Sequence, residues 1–425
     1  MKKTLVLLAT CFTIIHCGVT FAQDDGSTRQ KAEQALEQSN ANKKTLDKLK
    51  NLKVSGYIQT DFLYGEPNAS FKVGSDVKQE DNQFRFGVRR GRIKFDHGTA
   101  LGNAVFQLDL TEKGISFKDV YYKLNDPFFG GWISLKAGIF DRPFGYEISY
   151  SSRKRESPER STITTTLFPD ERDLGTMLTL QAPKDHSLHF LKLEAGIFAG
   201  NGIKKDFHNS KDFIAHLSAS KKISDKFSLG GGFSTYIGNV QSADTLAYEM
   251  DGKSFAESKV KEGDLFARQY FGIDAQLSLD WIAGVTSLRG EYLFGKQPAV
   301  SGNSKSPNSG TVGSGSTYIR NFNGGYVYFI QNIAHSKHSL VFKYDFYDPN
   351  TSIASNEIGN PVNTKTGKGD IGFNSIGVGY LLNLNSAMRI MAYYEMKSNE
   401  TSTALDGYKE NIKDNIFTLR LQYTF

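Results

Sequence analysis

The chain has 425 residues and a formal net charge of +6, and its mean hydropathy is −0.40 although it contains 31 Phe, 20 Tyr and 41 Gly. This mild charge argues against a nucleic-acid partner. Beyond the N-terminal segment, no apolar run approaches the roughly 20 residues that a membrane-spanning helix requires. The chain is therefore either a large soluble protein or a protein that crosses a membrane as strands.

The N-terminus has the features of an export signal. Lys2 and Lys3 precede an apolar run that ends in Thr20-Phe21-Ala22, which predicts a signal peptide over residues 1–22 with cleavage after Ala22. Lipidation at Cys17 is a weaker alternative, because His16 occupies a position where a small residue is needed. Export implies a compartment outside the cytoplasm.

Residues 23–52 differ in composition from the rest of the chain. They are polar and rich in good helix formers, with Ala32, Ala35 and Leu36 at helical spacing. We predict a periplasmic leader that is helical or flexible. A short oligomerising helix is the alternative.

From Lys53 onward the sequence alternates apolar and polar residues with the two-residue period of β-strands. Turn residues separate these segments. Sixteen strands are predicted, over residues 53–64, 83–96, 100–111, 115–125, 132–141, 173–182, 187–199, 212–222, 226–238, 267–280, 283–295, 317–331, 338–347, 371–382, 387–397 and 413–425.

The connections between these strands alternate in length. Short turns such as "DHGT", "SDK" and "NLNSA" are followed mostly by long loops, of which "GEPNASFKVGSDVKQEDN" is the first. Trp132 and Trp281, the two tryptophans of the sequence, both lie beside predicted short turns, as in an aromatic belt. Alternating turn lengths and an even strand count are typical of an outer-membrane barrel.

The last strand, "LRLQYTF", explains how the barrel closes. Phe417, Leu419, Leu421, Tyr423 and Phe425 share one face and polar residues share the other. Because unpaired backbone groups cost several kcal/mol in lipid, strands cross a membrane only as a closed barrel. We therefore predict an all-β fold over residues 53–425: a transmembrane antiparallel β-barrel of 16 strands, preceded by a short N-terminal periplasmic helical segment.

If the apolar face contacts lipid, the opposite face lines a water-filled lumen. On the second strand, "FRFGVRRGRIKFD", the parity of the apolar residues shifts by one, which predicts a β-bulge near residues 89–91. The bulge directs most basic residues of this strand inward and leaves the direction of Arg90 open. The candidate basic lumen residues on the strands are Arg85, Arg89, Arg90, Arg92, Lys94 and Lys136. The candidate acidic lumen residues are Asp109, Asp119 and Glu291.

One long connection, residues 142–172, is rich in basic residues. Arg153, Lys154, Arg155 and Arg160 lie close together in it. If the loop folds into the barrel it narrows the pore, and its guanidinium groups can bind oxyanions through paired donors. A solvated surface loop is the alternative, since neighbouring Asp and Glu residues nearly cancel the charge.

The stretch "AGIFDRPFGYEISYSSRKRESPERS" followed by "DLG", with "RFGVRRGRIKFD" and "KDVYYKL" upstream, resembles the phosphate-selective porin O and P family. The resemblance covers the chain from Lys53 and is most distinctive at residues 138–145. It implies a trimeric outer-membrane porin in which basic side chains form an inward path for phosphate or polyphosphate. Arg89 and Arg90 match the family's paired arginines, and Lys136 matches a basic lumen position, whereas Arg268, Arg289 and Arg320 are isolated.

The sequence thus predicts a porin of the Gram-negative outer membrane that passes small hydrophilic solutes by diffusion and prefers anions. Its expected partners are small anionic solutes, outer-membrane lipid and two further copies of the chain, without nucleic acid, cofactor or metal. An adhesin or anchoring barrel that binds partners through its long loops is one alternative. A barrel enzyme is another, but no convergent Ser, His and acid set is recognisable in the sequence.

Overall fold

The computed structural model describes residues 26–75, 81–311 and 313–425, so the predicted signal peptide lies outside the described residues. The chain divides into two units after Leu52. In the first unit, helix α1 (Gly26–Leu49) occupies most of the predicted leader. Within the described ranges, the structure contains no helix with the length and apolar character needed to cross a membrane.

The second unit is built from strands, one short helix, α2 (Thr162–Leu167), and two 3₁₀ turns, Ser355–Glu357 and Lys368–Asp370. In chain order the strands are β1 (Leu52–Gly65), β2 (Gln83–Thr99), β3 (Gly102–Thr111), β4 (Gly114–Asn125), β5 (Ile133–Asp141), β6 (Arg172–Gln181), β7 (Leu191–Phe198), β8 (Asp212–Lys222), β9 (Phe227–Gln241), β10 (Leu246–Asp251), β11 (Ser254–Lys259), β12 (Leu265–Trp281), β13 (Gly284–Ala299), β14 (Thr317–Asn332), β15 (His338–Asp348), β16 (Phe373–Asn383), β17 (Met388–Asn399) and β18 (Ile416–Thr424).

Sixteen of the described strands form a closed antiparallel barrel. Strand β1 pairs with both β2 and β18, from Tyr57 opposite Thr424 to Gly65 opposite Ile416. Strands β10 and β11 form a hairpin outside this ring, so β9 pairs directly with β12. The predicted 16-stranded barrel is confirmed. The hairpin is an addition, because the sequence predicts a long loop over its residues.

The barrel is apolar outside and polar inside. On β18, the exposed fractions of Leu421 and Tyr423 are 55% and 49%, whereas those of Arg420 and Gln422 are 1% and 8%. A soluble protein buries its apolar side chains, so this reversed pattern indicates an outer surface solvated by lipid. Phe425 continues the pairing between β18 and β1 that closes the barrel, because its backbone N–H donates to Gly56 O at 3.0 Å.

The two ends of the barrel differ in the length of their connections. The short-turn end includes the connection from Trp281 to Gly284 and residues 126–132, so both tryptophans lie at this end. Long loops occupy the other end, apart from the two-residue turn between Thr111 and Gly114. Short turns face the periplasm in outer-membrane barrels.

Candidate functional site

The connection between β5 and β6, which we call the inner loop (residues 142–171), lies within the barrel and contacts different parts of its wall. Ser152 Oγ lies 2.6 Å from the hydroxyl of Tyr57 on β1. Ser157 Oγ lies 2.7 Å from the hydroxyl of Tyr328 on β14. Since β1 and β14 are well separated around the ring, the inner loop crosses the lumen.

Two glutamates fix the start of the inner loop. The Glu291 carboxylate on β13 accepts the backbone N–H groups of Tyr146 at 3.0 Å and Glu147 at 2.7 Å, as well as the Tyr326 hydroxyl. The Glu147 carboxylate in turn accepts the Ser161 N–H at 3.1 Å and its hydroxyl at 2.6 Å. Glu291, a predicted lumen acid, therefore positions the loop.

On one side the inner loop is packed by apolar and aromatic side chains. The ring of Phe168, which follows α2, meets that of Tyr270 edge-on at 5.6 Å and lies 4.9 Å from that of Phe144. The residues that make up this apolar half of the lumen are buried and lie on the loop and on strands β5 to β15: Phe140, Phe144, Ile148, Ile163, Leu167, Phe168, Met177, Phe198, Ile214, Tyr236, Tyr270, Leu293, Phe322 and Tyr347. These side chains fill the interior here.

On the opposite side, the inner loop meets β1, β2 and β18 through charges. In the described part of the chain, four arginines lie within 4.0 Å of the Glu159 carboxylate. Arg89 donates to it twice, from Nε at 2.6 Å and from Nη2 at 2.8 Å, and Arg90 Nη2 donates at 2.9 Å. Arg420 lies at 3.7 Å and Arg155 at 4.0 Å. We call this group the Glu159 cluster.

The presence of Arg89 and Arg90 in one cluster shows how β2 departs from regular alternation. Phe84 and Phe86, earlier on this strand, are exposed on the outside. Consecutive residues of a regular strand point to opposite faces, yet the side chains of Arg89 and Arg90 reach the same carboxylate inside the barrel. The direction of Arg90, which the sequence left open, is therefore inward.

A second group of charges lies where the inner loop returns to the wall. Arg172 contacts Asp119 at 2.8 Å, Glu171 at 2.9 Å and Asp141 at 3.2 Å, and Glu171 also pairs with Arg160. Burial alone raises the pKa of a carboxyl group. Arg160 and Arg172 outweigh this effect and hold the pKa of Glu171 well below its usual range.

A cavity of about 530 Å³, which we call the basic chamber, lies between the inner loop and the strand ends near Phe425. Arg153 extends into it and is exposed, without an ion pair among the described residues. Arg92 is 7% exposed and its Nε has no hydrogen-bond partner; the Asp109 carboxylate lies 3.5 Å from it. The charged residues that line the chamber are Lys53, Arg92, Lys94, Arg153, Arg160, Arg172, Asp119 and Asp141.

The basic residues predicted in the inner loop have different environments. Arg153 and Lys154 are exposed. Arg155 and Arg160 are buried and donate to carbonyl groups of the loop itself, for example from Arg155 Nη2 to Pro158 O at 2.9 Å and from Arg160 Nε to Glu147 O at 2.9 Å. Burial, together with the nearby Arg160, lowers the pKa of Arg155 to about 10.

Two predicted wall residues, Arg85 and Lys136, lie apart from these groups, whereas Lys94 belongs to the wall of the basic chamber. Arg85 donates to Ser75 O at 3.3 Å, in the loop that precedes β2. Lys94 lies 3.6 Å from the Asp96 carboxylate on its own strand. Lys136 lies over the rings of Tyr121 and Phe140, each at 5.0 Å.

Sequence reasoning missed Arg420 as a site residue. It is buried in the Glu159 cluster and forms a two-pronged ion pair with Asp61, at 2.6 and 2.7 Å. The sequence did contain a signal, because Arg420 lies on the polar face of the last strand. Arg289, which looked isolated, pairs with Glu156 of the inner loop and lies 4.4 Å from the Tyr150 ring centre.

Comparison with known proteins identifies the family. The sequence profile described as phosphate-selective porin O and P matches residues 63–425. The chain belongs to the phosphate-selective porin O and P family. It is an outer-membrane porin of a Gram-negative bacterium, through which small hydrophilic solutes diffuse passively.

Solved structures of other barrels resemble this porin in fold at low sequence identity. OprB of Pseudomonas putida is 10% identical, covers 92% of this chain and 97% of its own, and gives a TM-score of 0.56. The channel DcaP of Acinetobacter baumannii is 12% identical, with 88% and 97% covered and a TM-score of 0.52. An anion-selective porin from Comamonas acidovorans is 11% identical, with 88% and 99% covered and a TM-score of 0.51. No curated protein matches this porin significantly in sequence.

Proposed function

We propose that this porin conducts small anions in preference to cations, and that the anions pass along the charged half of its lumen. The observation that carries this proposal is the charge of the basic chamber. Its lining holds six basic and two acidic side chains among the described residues. A concave surface lined by one sign of charge raises the local concentration of ions of the opposite sign.

The exposed basic residues are those that a passing ion meets directly. Arg153 and Lys154 are solvated, whereas Arg155 and Arg160 are used within the inner loop. Exposed charges attract anions and still release them quickly, as conduction requires. We therefore assign anion attraction to Arg153 and Lys154, with Arg92 of the chamber wall as a further contributor. Lys94 and Lys136 contribute to the field of the lumen.

The path itself follows the contacts of the inner loop. Because aromatic packing fills the apolar half, the remaining cavities lie beside β17, β18 and β1 to β6. In this arrangement residues 142–172 form the constriction of the pore. Asp109 and Asp119, paired with Arg92 and Arg172, reduce the anion preference.

Two relationships support the proposal without defining the solute. The family name implies phosphate selectivity, and the Comamonas acidovorans porin is described as anion-selective. The family also favours a channel over an adhesin or a barrel enzyme. We further propose a homotrimer in outer-membrane lipid, since a Vibrio cholerae relative in fold, OmpT, is described in a trimer form (11% identity, TM-score 0.50).

The test is the reversal potential of reconstituted channels in a potassium chloride gradient. The double substitution R153A/K154A removes two exposed charges and leaves the bonds of Arg155 intact. We expect it to lower the ratio of anion to cation permeability by a factor of roughly 2 to 10. The matched control is K204A/K205A, which removes two adjacent exposed lysines from the β7–β8 loop. Equal reversal potentials for both double variants and the wild type would refute the assignment.

A further inference from the structure

The carboxylate of Glu159 is bound in the way that a protein binds a free oxyanion. Arg89 presents two parallel donors, at 2.6 and 2.8 Å, and Arg90 adds a third at 2.9 Å. Arginine is suited to carboxylates and phosphates because its planar fork matches two of their oxygens. Here the anion is supplied by the protein's own inner loop.

The cluster around this carboxylate has more positive than negative charge. Asp61 is engaged by Arg420 at 2.6 and 2.7 Å, so Glu159 is the near counter-ion of Arg89, Arg90 and Arg155. Arg155 is 1% exposed, and its Nη1 has no hydrogen-bond partner in the structure. One nitrogen of the cluster is therefore not used by the described residues of the protein itself.

A cavity adjoins the cluster at its carboxylate. This cavity of about 230 Å³ lies beside the inner loop and is lined by three acidic side chains, Asp61, Glu159 and Glu395, and by three basic ones, Lys72, Arg160 and Lys397. The side chain of Glu159 is 27% exposed. Arg89 is also partly exposed, at 21%. An anion in this cavity thus meets the Glu159 carboxylate directly, and the partly exposed Arg89 that binds this carboxylate lies next to it.

Glu159 is ionised under physiological conditions. Burial favours its neutral form, but Arg89 and Arg90 hold the pKa of the carboxyl group well below its usual range. The arginines are therefore occupied by a full negative charge whenever the loop is seated. A second anion has to displace that charge or share the cluster with it.

We propose that Glu159 is a tethered anion that occupies an oxyanion-binding site formed by Arg89, Arg90, Arg155 and Arg420, and thereby weakens the binding of solute phosphate. With the site occupied from within, phosphate passes without being retained. Without the carboxylate, the same arginines bind it. This inference rests on the proposed function only in placing solutes in the lumen.

If Glu159 served only as a structural ion pair that holds the inner loop in place, a different result would be expected from its removal. Its loss would loosen the loop and raise the noise of the current, but it would create no affinity for phosphate. The readout that separates the two roles is therefore a binding constant. This constant is measured as the phosphate concentration at which the chloride current of a single channel falls to half.

The experiment compares Glu159→Gln with Glu156→Gln. Both remove one negative charge from the same loop, but Glu156 pairs with Arg289, outside the cluster. We expect phosphate to block E159Q at a concentration about tenfold lower than the wild type or E156Q, because bidentate arginine sites bind oxyanions strongly. Glu159→Asp keeps the charge and is expected to show the weak block of the wild type. Heat-modifiable migration of the barrel verifies that each variant is assembled.

The same set of channels separates this inference from the proposed function. Equal half-blocking concentrations for E159Q and E156Q overturn the tethered anion, whatever the wild-type reversal potential is. A wild-type channel that prefers cations overturns the proposed function, even if E159Q gains a phosphate site. Block of E159Q alone, in an anion-preferring channel, supports both.

Discussion

The two halves of the lumen hold the same inner loop by different forces. In the apolar half, side chains such as Phe144, Leu167 and Phe168 pack against aromatic residues of the wall. In the charged half, Glu159 faces Arg89 and Arg90. Apolar contacts exclude water and solutes, whereas an ion pair involves groups that a solute anion can also bind. This difference supports our proposal that ions pass beside the salt bridges.

The magnitudes of these contacts also differ. An aromatic side chain buries roughly 150–250 Å², at about 25 cal/mol per Å². A partly exposed ion pair contributes about 0 to 1 kcal/mol. We therefore expect the apolar half to supply most of the stability of the bound inner loop, and we propose that the charged half supplies the ion selectivity of the channel. Substitutions in the two halves are expected to separate these effects.

The largest effect is expected from the double substitution F144A/F168A in the apolar half. Each removal of a buried Phe side chain costs about 3–5 kcal/mol, so the unfolding midpoint in urea should fall sharply. The inner loop is then no longer packed against the wall of the barrel, and the single-channel conductance should rise.

The control for that experiment is Phe233→Ala, on the outer face of β9, where the side chain is 49% exposed. It removes a ring of the same type from the lipid-facing surface. If F144A/F168A lost no more stability than F233A, packing in the apolar half would not be what holds the inner loop in place.

A smaller effect is expected from Glu147→Gln, which removes the charged acceptor of the Ser161 N–H and hydroxyl. Hydrogen bonds to charged groups contribute roughly 1.5–3 kcal/mol. The expected result is a loss of stability in this range and increased noise of the open channel. Glu249→Gln, at an exposed site on β10, is the matched change of charge and should behave as the wild type. A quiet E147Q channel of wild-type stability would contradict this role.

The smallest effect is expected from acidification. The pKa values of Glu159 and Glu171 lie well below the usual range. Their contribution to stability is therefore fully present above the unfolded pKa, about 4.3, and is lost only as the pH falls through the lower folded values. We expect the chloride to potassium permeability ratio to stay constant from about pH 7 to about pH 5. A change of this ratio in that interval would show that the charged half is held by weaker acids.

The barrel was predictable from the sequence because strand parity is a local property. The alternation over Phe417 to Phe425 alone distinguishes the lipid face of β18 from its lumen face. The hairpin β10–β11 was missed because its two short strands lie within a long connection and outside the ring. Local pattern does not reveal which strands enter the closed sheet.

The Glu159 cluster was only partly predictable. Parity places Arg420 inside, but it does not give the height of a side chain along the barrel axis or the path of a 30-residue loop. The convergence of residues 89, 159 and 420 is set by tertiary packing. Arg90 shows the same limit, because a bulge can be inferred from shifted parity while the side chain that it redirects depends on the backbone.

The most direct test of the division of the lumen is thiol labelling during current recording. Both cysteines of the sequence, Cys11 and Cys17, precede the predicted cleavage after Ala22, so an introduced cysteine is unique in the mature chain. A small anionic methanethiosulfonate reagent should rapidly modify Arg153→Cys and reduce the current. It should leave Leu167→Cys unmodified. Rapid modification of L167C with an inert R153C would place the water path in the apolar half and contradict the account.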